Sequence, residues 1–295
     1  MKIFEVAIIG GGPAGLSAAL ALSRVRRHSI LFDTQHYRNQ PASSVHTVLG
    51  HDGRPMDEFR EICQQDVTKY NMTEFSSEKI DTVVRTEKGF KLNDRYCAEK
   101  IIFTSGVYDV YPDIKGYGDI WGKSIYHCIF CHGYEQRDDD LAVLGTDMFA
   151  LHAGLGSTKL NKSITFLTNG QLSSEIPDEV KEKIKKAGLH LETRRLRSLS
   201  DKGSKLQVNF ETGDARVFKA MLHTPPTFVN MQGIFENLGV KFTEAKNRIE
   251  IKDQMGHTNI PGIYAAGDLI TMATSVTQAI VSGSFAGVGA HFDLV

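Results

Sequence analysis

Several large classes of protein are excluded by what the sequence lacks. No apolar run approaches the ~20 residues that span a membrane, so no segment reads as transmembrane. Neither sign of charge prevails: 34 Lys and Arg stand against 35 Asp and Glu, a formal net charge of -1. That balance leaves no electrostatic footprint for nucleic acid or an anionic membrane. Cysteine is scarce. Cys63, Cys97, Cys128 and Cys131 are too few in 295 residues for a secreted disulfide scaffold, and a reducing, cytoplasmic setting is expected. The 11 histidines form no HExxH repeat. Ile3–Ile9 reads as a strand with no positively charged and apolar leader before it, and His291–Val295 carries no lipidation or retention signal. Proline is sparse at 8 residues, whereas the 27 glycines gather in a few places, as they do where a backbone must approach a ligand closely.

The chain opens with a βαβ unit. Val6–Ile9 is a β-rich run, Leu16–Arg26 a helical stretch rich in Ala and Leu, and Ser29–Phe32 a second apolar run ending at Asp33. Between the first strand and the helix lies Gly10-x-Gly12-x-x-Gly15. In such a turn the first glycine makes the bend, the second admits a pyrophosphate and the third lets helix and strand pack. The helix N-terminus offers its N–H groups to the phosphates. Asp33 lies 18 residues beyond Gly15, close to the ~20 expected of a ribose-binding carboxylate. An acid there favours a free 2′-hydroxyl, hence FAD or NAD over NADP.

A polar loop follows from Tyr37 to Gly53, then an amphipathic helix from Met56 to Tyr70, strands at Lys79–Val84 and Gly89–Leu92, and a strand Lys100–Phe103 running into Thr104-Ser105-Gly106. Tyr111–Gly116 has linker character. Leu141–Gly145 and Ser163–Leu167 restart the strand-turn-helix pattern, Thr224-Pro225-Pro226 resembles a return linker, and Gly262–Asp268 is a strand and turn before a helix from about Ser275 to Ala290. The reading is an α/β fold of two Rossmann-like dinucleotide-binding domains. The first comprises residues 1–112 and 242–295, and residues 113–241 are inserted in it.

The sharpest chemical signal is Cys128-Ile129-Phe130-Cys131-His132-Gly133-Tyr134-Glu135. Two thiols at this spacing close a disulfide or share a low-pKa thiolate. A zinc half-site and an inert structural pair are the alternatives. Zinc wants four ligands, and no second Cys-x-x-Cys exists.

On Gly10–Gly15, Thr104-Ser105-Gly106, the cysteine pair and Ala265-Ala266-Gly267-Asp268, the chain resembles the flavoprotein disulfide reductases of the low-molecular-weight thioredoxin reductase type. That resemblance implies FAD held by Gly10, Gly12, Pro13, Ala14, Gly15, Asp33, Arg38, Gly106, Gly267 and Asp268, with Asp268 on the ribityl chain. It implies that Gln278 and Ala279 begin a helix aimed at the flavin ring. It further implies a homodimer, with Cys131 against the flavin and Cys128 exchanging with substrate. His132 stands where those reductases usually carry Asp. A histidine there can act as a base near neutral pH, with Glu135 orienting it or relaying its proton; the alternative for each is a solvated loop side chain.

The inserted domain departs from the pattern of a nicotinamide site. Its turn reads Gly145-Thr146-Asp147-Met148-Phe149-Ala150, with Asp147 where the backbone should meet a pyrophosphate. Leu167-Thr168-Asn169-Gly170-Gln171 lacks the Arg or Lys that binds a 2′-phosphate. The domain is therefore expected to be NADPH-like in fold and to have lost nicotinamide binding. In Cys128–Glu135 and the Arg38–Gly53 loop as well, the chain resembles the gliotoxin-oxidase-like dithiol oxidases, and that resemblance implies a small-molecule dithiol of the epidithiodiketopiperazine type as substrate, an intramolecular disulfide as product and O2 as acceptor. An NADPH-dependent thioredoxin or disulfide reductase, and a non-catalytic flavin redox sensor, remain as alternatives.

Overall fold

The computed structural model describes residues 1–295, which form two compact units, Met1–Asp109 with Thr227–Val295, and Val110–Pro226. No helix is long and apolar enough to cross a membrane.

The first unit is built on a seven-stranded sheet in the order Thr73–Ser76, Ser29–Phe32, Lys2–Ile9, Tyr96–Phe103, Gly89–Leu92, Val83–Thr86. The first four strands run parallel. Tyr96–Phe103 divides its far edge: Tyr96–Ala98 pairs antiparallel with Phe90–Leu92, and Ile101–Phe103 pairs parallel with Ile263–Ala265. Val6-Ala7-Ile8-Ile9 is apolar at every position because both faces of its strand are covered. Val6 and Ile8 pack under the helices Pro13–Arg24 and Val276–Phe292, while Ala7 and Ile9 join Phe103, Phe235 and Val240 on the other face.

Three expected limits move, the first being the end of the first unit's opening segment, which is Asp109 rather than residue 112. Residues 79–82 do not form a strand, because the Asn93 side chain accepts from the N–H groups of Asp81 and Thr82 and donates to the Lys79 carbonyl; the strand is Val83–Thr86. Residues 227–241 belong to the first unit rather than to the insertion. Thr227–Val229 pairs antiparallel with Val107–Asp109, and Val229, Phe235 and Val240 are buried in the first unit's core.

The second unit carries a parallel sheet in the order Ile125–Tyr126, Ala220–Leu222, Asp140–Leu144, Ser163–Leu167, His190–Glu192. A three-stranded antiparallel sheet accompanies it, Leu196–Asp201, Leu206–Phe210 and Arg216–Phe218. Leu141 and Val143 face one core with Tyr126, and Ala142 and Leu144 face the other with Tyr117 and Trp121. This is the period-2 alternation of a strand buried on both sides.

Candidate active site

In the first unit, the turn after Lys2–Ile9 is shaped by what its glycines exclude. Gly10 has φ +117°, and a Cβ there would lie 2.4 Å from the Thr104 carbonyl oxygen. A Cβ on Gly15 would lie 1.9 Å from the Gly10 oxygen, whereas one on Gly12 would meet nothing within 4 Å. Gly12 therefore faces open space at the start of the helix Pro13–Arg24, where no side chain caps the N-terminus. A diphosphate fits that cradle: the backbone is bare, the N–H groups are uncapped and the helix dipole is favourable.

Asp33 ends the second strand, 9% exposed, and accepts hydrogen bonds from the Gln35 N–H at 2.8 Å and the Tyr37 hydroxyl at 2.6 Å. Gly11, to which sequence reasoning gave no role, is what admits this carboxylate. A Cβ at 11 would sit 2.1 Å from Asp33 Cγ.

The loop residue Arg38 gathers distant parts of the unit. It donates to both Asp109 oxygens at 3.0 and 2.8 Å, to Asp268 at 3.1 Å and to the Thr274 hydroxyl at 3.1 Å. Burial pushes the Asp268 carboxyl up, against the pull of Arg38; its side chain keeps 22% exposure, enough to meet a ligand hydroxyl. Asp109 was not legible beforehand, since nothing in Val107-Tyr108-Asp109 announces a partner for residue 38. Gly106 and Gly267 take φ +66° and +71°, a conformation that favours glycine. The Gly267 N–H donates to Ser282 at 3.0 Å. The last helix is capped by Ser275, which accepts from the Gln278 N–H at 3.0 Å; Gln278 is exposed and Ala279 buried.

In the second unit, Cys128 and Cys131 are joined in a disulfide, with Cα atoms 5.2 Å apart. Cys128 caps the short helix Ile129–His132 and follows the edge strand Ile125–Tyr126, so the pair sits at the carboxyl edge of the parallel sheet, where such folds take their ligands. Both cysteines are half-buried, and Phe130 between them is 77% exposed. The ring of His132 lies 6.1 Å from that of Tyr126. Glu135 follows in the turn Tyr134–Gln136 and is exposed. The other cysteines are apart from this chemistry: burial and Asp66 push the Cys63 thiol up to about 11, and Cys97 lies 3.0 Å from the sulfur of Met1.

The turn after Asp140–Leu144 contrasts with its counterpart in the first unit. Asp147 is the N-cap of the helix Met148–Gly156 and its carboxylate accepts from the Ala150 N–H at 2.9 Å. An anion of the chain itself thus sits at the start of this helix, where the first unit's helix has no side-chain cap. Asn169 is turned away, accepting from the Leu196 N–H at 3.0 Å. His223, which sequence reasoning did not single out, ends the strand Ala220–Leu222 at the same carboxyl edge. Its Nδ1 is 2.6 Å from the Tyr117 hydroxyl, and burial pulls its pKa down to about 4, against the nearby charge of Asp147.

Comparison with known proteins agrees with this geometry. Residues 4–283 match the family described as pyridine nucleotide-disulphide oxidoreductase. The chain is 32% identical to thioredoxin reductase sirT of Leptosphaeria maculans, over 99% of this chain and 94% of that one. Among solved structures it resembles the oxidoreductase from Agrobacterium tumefaciens, with 30% identity, a TM-score of 0.90 and coverage of 100% and 99%. It also resembles HlmI, with 26% identity, a TM-score of 0.90 and coverage of 99% and 92%. The chain belongs to the pyridine nucleotide-disulphide oxidoreductase family, with two Rossmann-like domains. Within it, this is a thioredoxin-reductase-like flavoprotein that binds FAD and acts on disulfides, related to the gliotoxin-oxidase type.

Proposed function

We propose that the protein is a dithiol oxidase, which converts a small-molecule dithiol of the epidithiodiketopiperazine type into its intramolecular disulfide. The observation that carries this reading is the Asp147 cap, an anion seated where a nicotinamide dinucleotide would place its own, in a unit whose cysteine pair is intact. His132 takes the proton of one substrate thiol. The thiolate attacks Cys128 Sγ, the Cys128–Cys131 bond breaks, and Cys131 leaves as a thiolate. The second substrate thiol then attacks the mixed disulfide, closing the product and releasing Cys128, so two electrons pass from substrate to the protein dithiol. Bound FAD, held by the residues of the first unit, would take those electrons and pass them to O2, giving hydrogen peroxide.

The same proposal includes a homodimer. Val281 and Phe285, exposed one turn apart on the last helix, supply an apolar stripe suited to a partner, and analytical ultracentrifugation tests it. The name of the relative sirT favours a second reading, an NADPH-dependent disulfide reductase. Anaerobic flavin spectra separate the two. Bleaching by a small dithiol, with colour restored by air and peroxide released, is the expected result; rapid bleaching by NADPH would replace the oxidase by the reductase.

A further inference from the structure

His132 has a neighbour with no part in the scheme above. Tyr126 ends the edge strand two residues before Cys128 and is 3% exposed. Its phenol oxygen is sealed from solvent and makes no hydrogen bond within the chain. Leaving a buried hydroxyl unpaired costs free energy that Phe at the same position would avoid. The ring packs among Leu141, Val143, Leu151 and Ile129, and its centre is 6.1 Å from that of the His132 ring, the planes tilted by 43°. The charged group that faces it is Glu135, whose negative charge adds to burial in pushing the phenol up. Tyr126 therefore stays protonated and neutral throughout the working range, beside the residue assigned as base.

The disulfide holds the turn that carries His132. His132 directly follows Cys131, and its backbone N–H donates to the Cys128 carbonyl at 3.2 Å. We propose that Tyr126 is a positioning residue for His132: when the Cys128–Cys131 bond opens, the phenol oxygen accepts the N–H of one imidazole nitrogen, leaving the other to hold the proton taken from the first substrate thiol while the second closes the product. The role assigned to that proton rests on the dithiol-oxidase reading; the hydrogen bond itself does not.

The test is Tyr126→Phe in the intact flavoprotein, with three measurements. The urea midpoint should be unchanged or raised, because the disulfide form loses no hydrogen bond. Anaerobic flavin reduction by a small dithiol should slow about tenfold at neutral pH, its acid limb moving down by about one pH unit as the imidazolium loses an acceptor. In protein reduced with dithiothreitol, ¹⁵N spectra of His132 should show one tautomer in the wild type and a mixture in the variant. A lowered urea midpoint, or the same tautomer in both proteins, overturns the proposal. If the wild-type flavin is not reduced by dithiols while the tautomers still differ, the oxidase reading falls and the Tyr126–His132 bond stands.

Discussion

Asp147 caps its helix with a carboxylate of the chain's own, and caps of this kind contribute about 1 kcal/mol. Asp147→Ala should therefore lower the unfolding free energy by ~1 kcal/mol in urea, leave the flavin spectrum unchanged and bring no bleaching by NADPH. Gly11→Ala acts differently, since the new methyl would overlap Asp33 Cγ at 2.1 Å. The purified variant should be nearly colourless, read as the ratio of absorbance at 450 nm to that at 280 nm (about the flavin and protein bands); a fully yellow protein would remove Asp33 from the cofactor site. The glycines of the first turn and Asp33 were legible because their spacing is local. Gly11 and Asp109 were not, because each matters through a residue that only the fold brings near. Asp109 meets Arg38 from 71 residues further along the chain, and no short window of sequence contains both.

At the scale of elements, the helices Pro13–Arg24 and Val276–Phe292 cross so closely that a Cβ on Gly283 would stand 2.0 Å from the Ala14 carbonyl oxygen, and Ser17 donates across the contact to the Ile280 carbonyl at 2.7 Å. Overpacking a contact of this kind costs ~1–3 kcal/mol or more. Gly283→Ala should lower the melting temperature and, because Ala14 lies in the phosphate turn, weaken FAD retention on dilution; retention equal to the wild type would uncouple the two helices from the site. The parallel strands at Val6–Ile9, Ser29–Phe32, Leu141–Leu144 and Ser163–Leu167 and both of these helices could be read from apolar runs and glycine-rich turns; the short strands Thr73–Ser76, Ile125–Tyr126, His190–Glu192 and Ala220–Leu222 could not. Residues 79–82 could not, because a single side chain, Asn93, supplies their hydrogen bonds in place of a neighbouring strand.

For the whole molecule, acid should act in two stages. His223 is held neutral to about pH 4, against an ordinary value of 6.5, so the unfolded chain takes up its proton first. The stability this contributes is complete above pH 6.5 and is lost as pH falls from 6.5 to 4. Asp253 and Asp293 are held below their ordinary value, Asp293 first by the Tyr264 hydroxyl and both by the neighbouring His257 ring, which for Asp253 outweighs the effect of burial. Their contribution is present above about pH 4 and is lost as pH falls further. Asp268, pushed up by burial, works in the opposite sense and gains on acidification. Melting temperatures from pH 7 to 3 should fall in both windows, and His223→Gln should flatten the first; an unchanged upper limb would place the titration elsewhere.

The chain leaves the first unit after Asp109 and returns at Thr227, and these two residues are register partners in an antiparallel pair. The inserted unit thus hangs from the position where a hairpin turn would otherwise be. Replacing residues 110–226 by Asn-Gly would close the first unit into one uninterrupted polypeptide, with the Asp109 grip on Arg38 retained. Such a chain should be yellow without the cysteine pair, so that flavin binding and thiol chemistry become genetically separable; a colourless product would tie the two together.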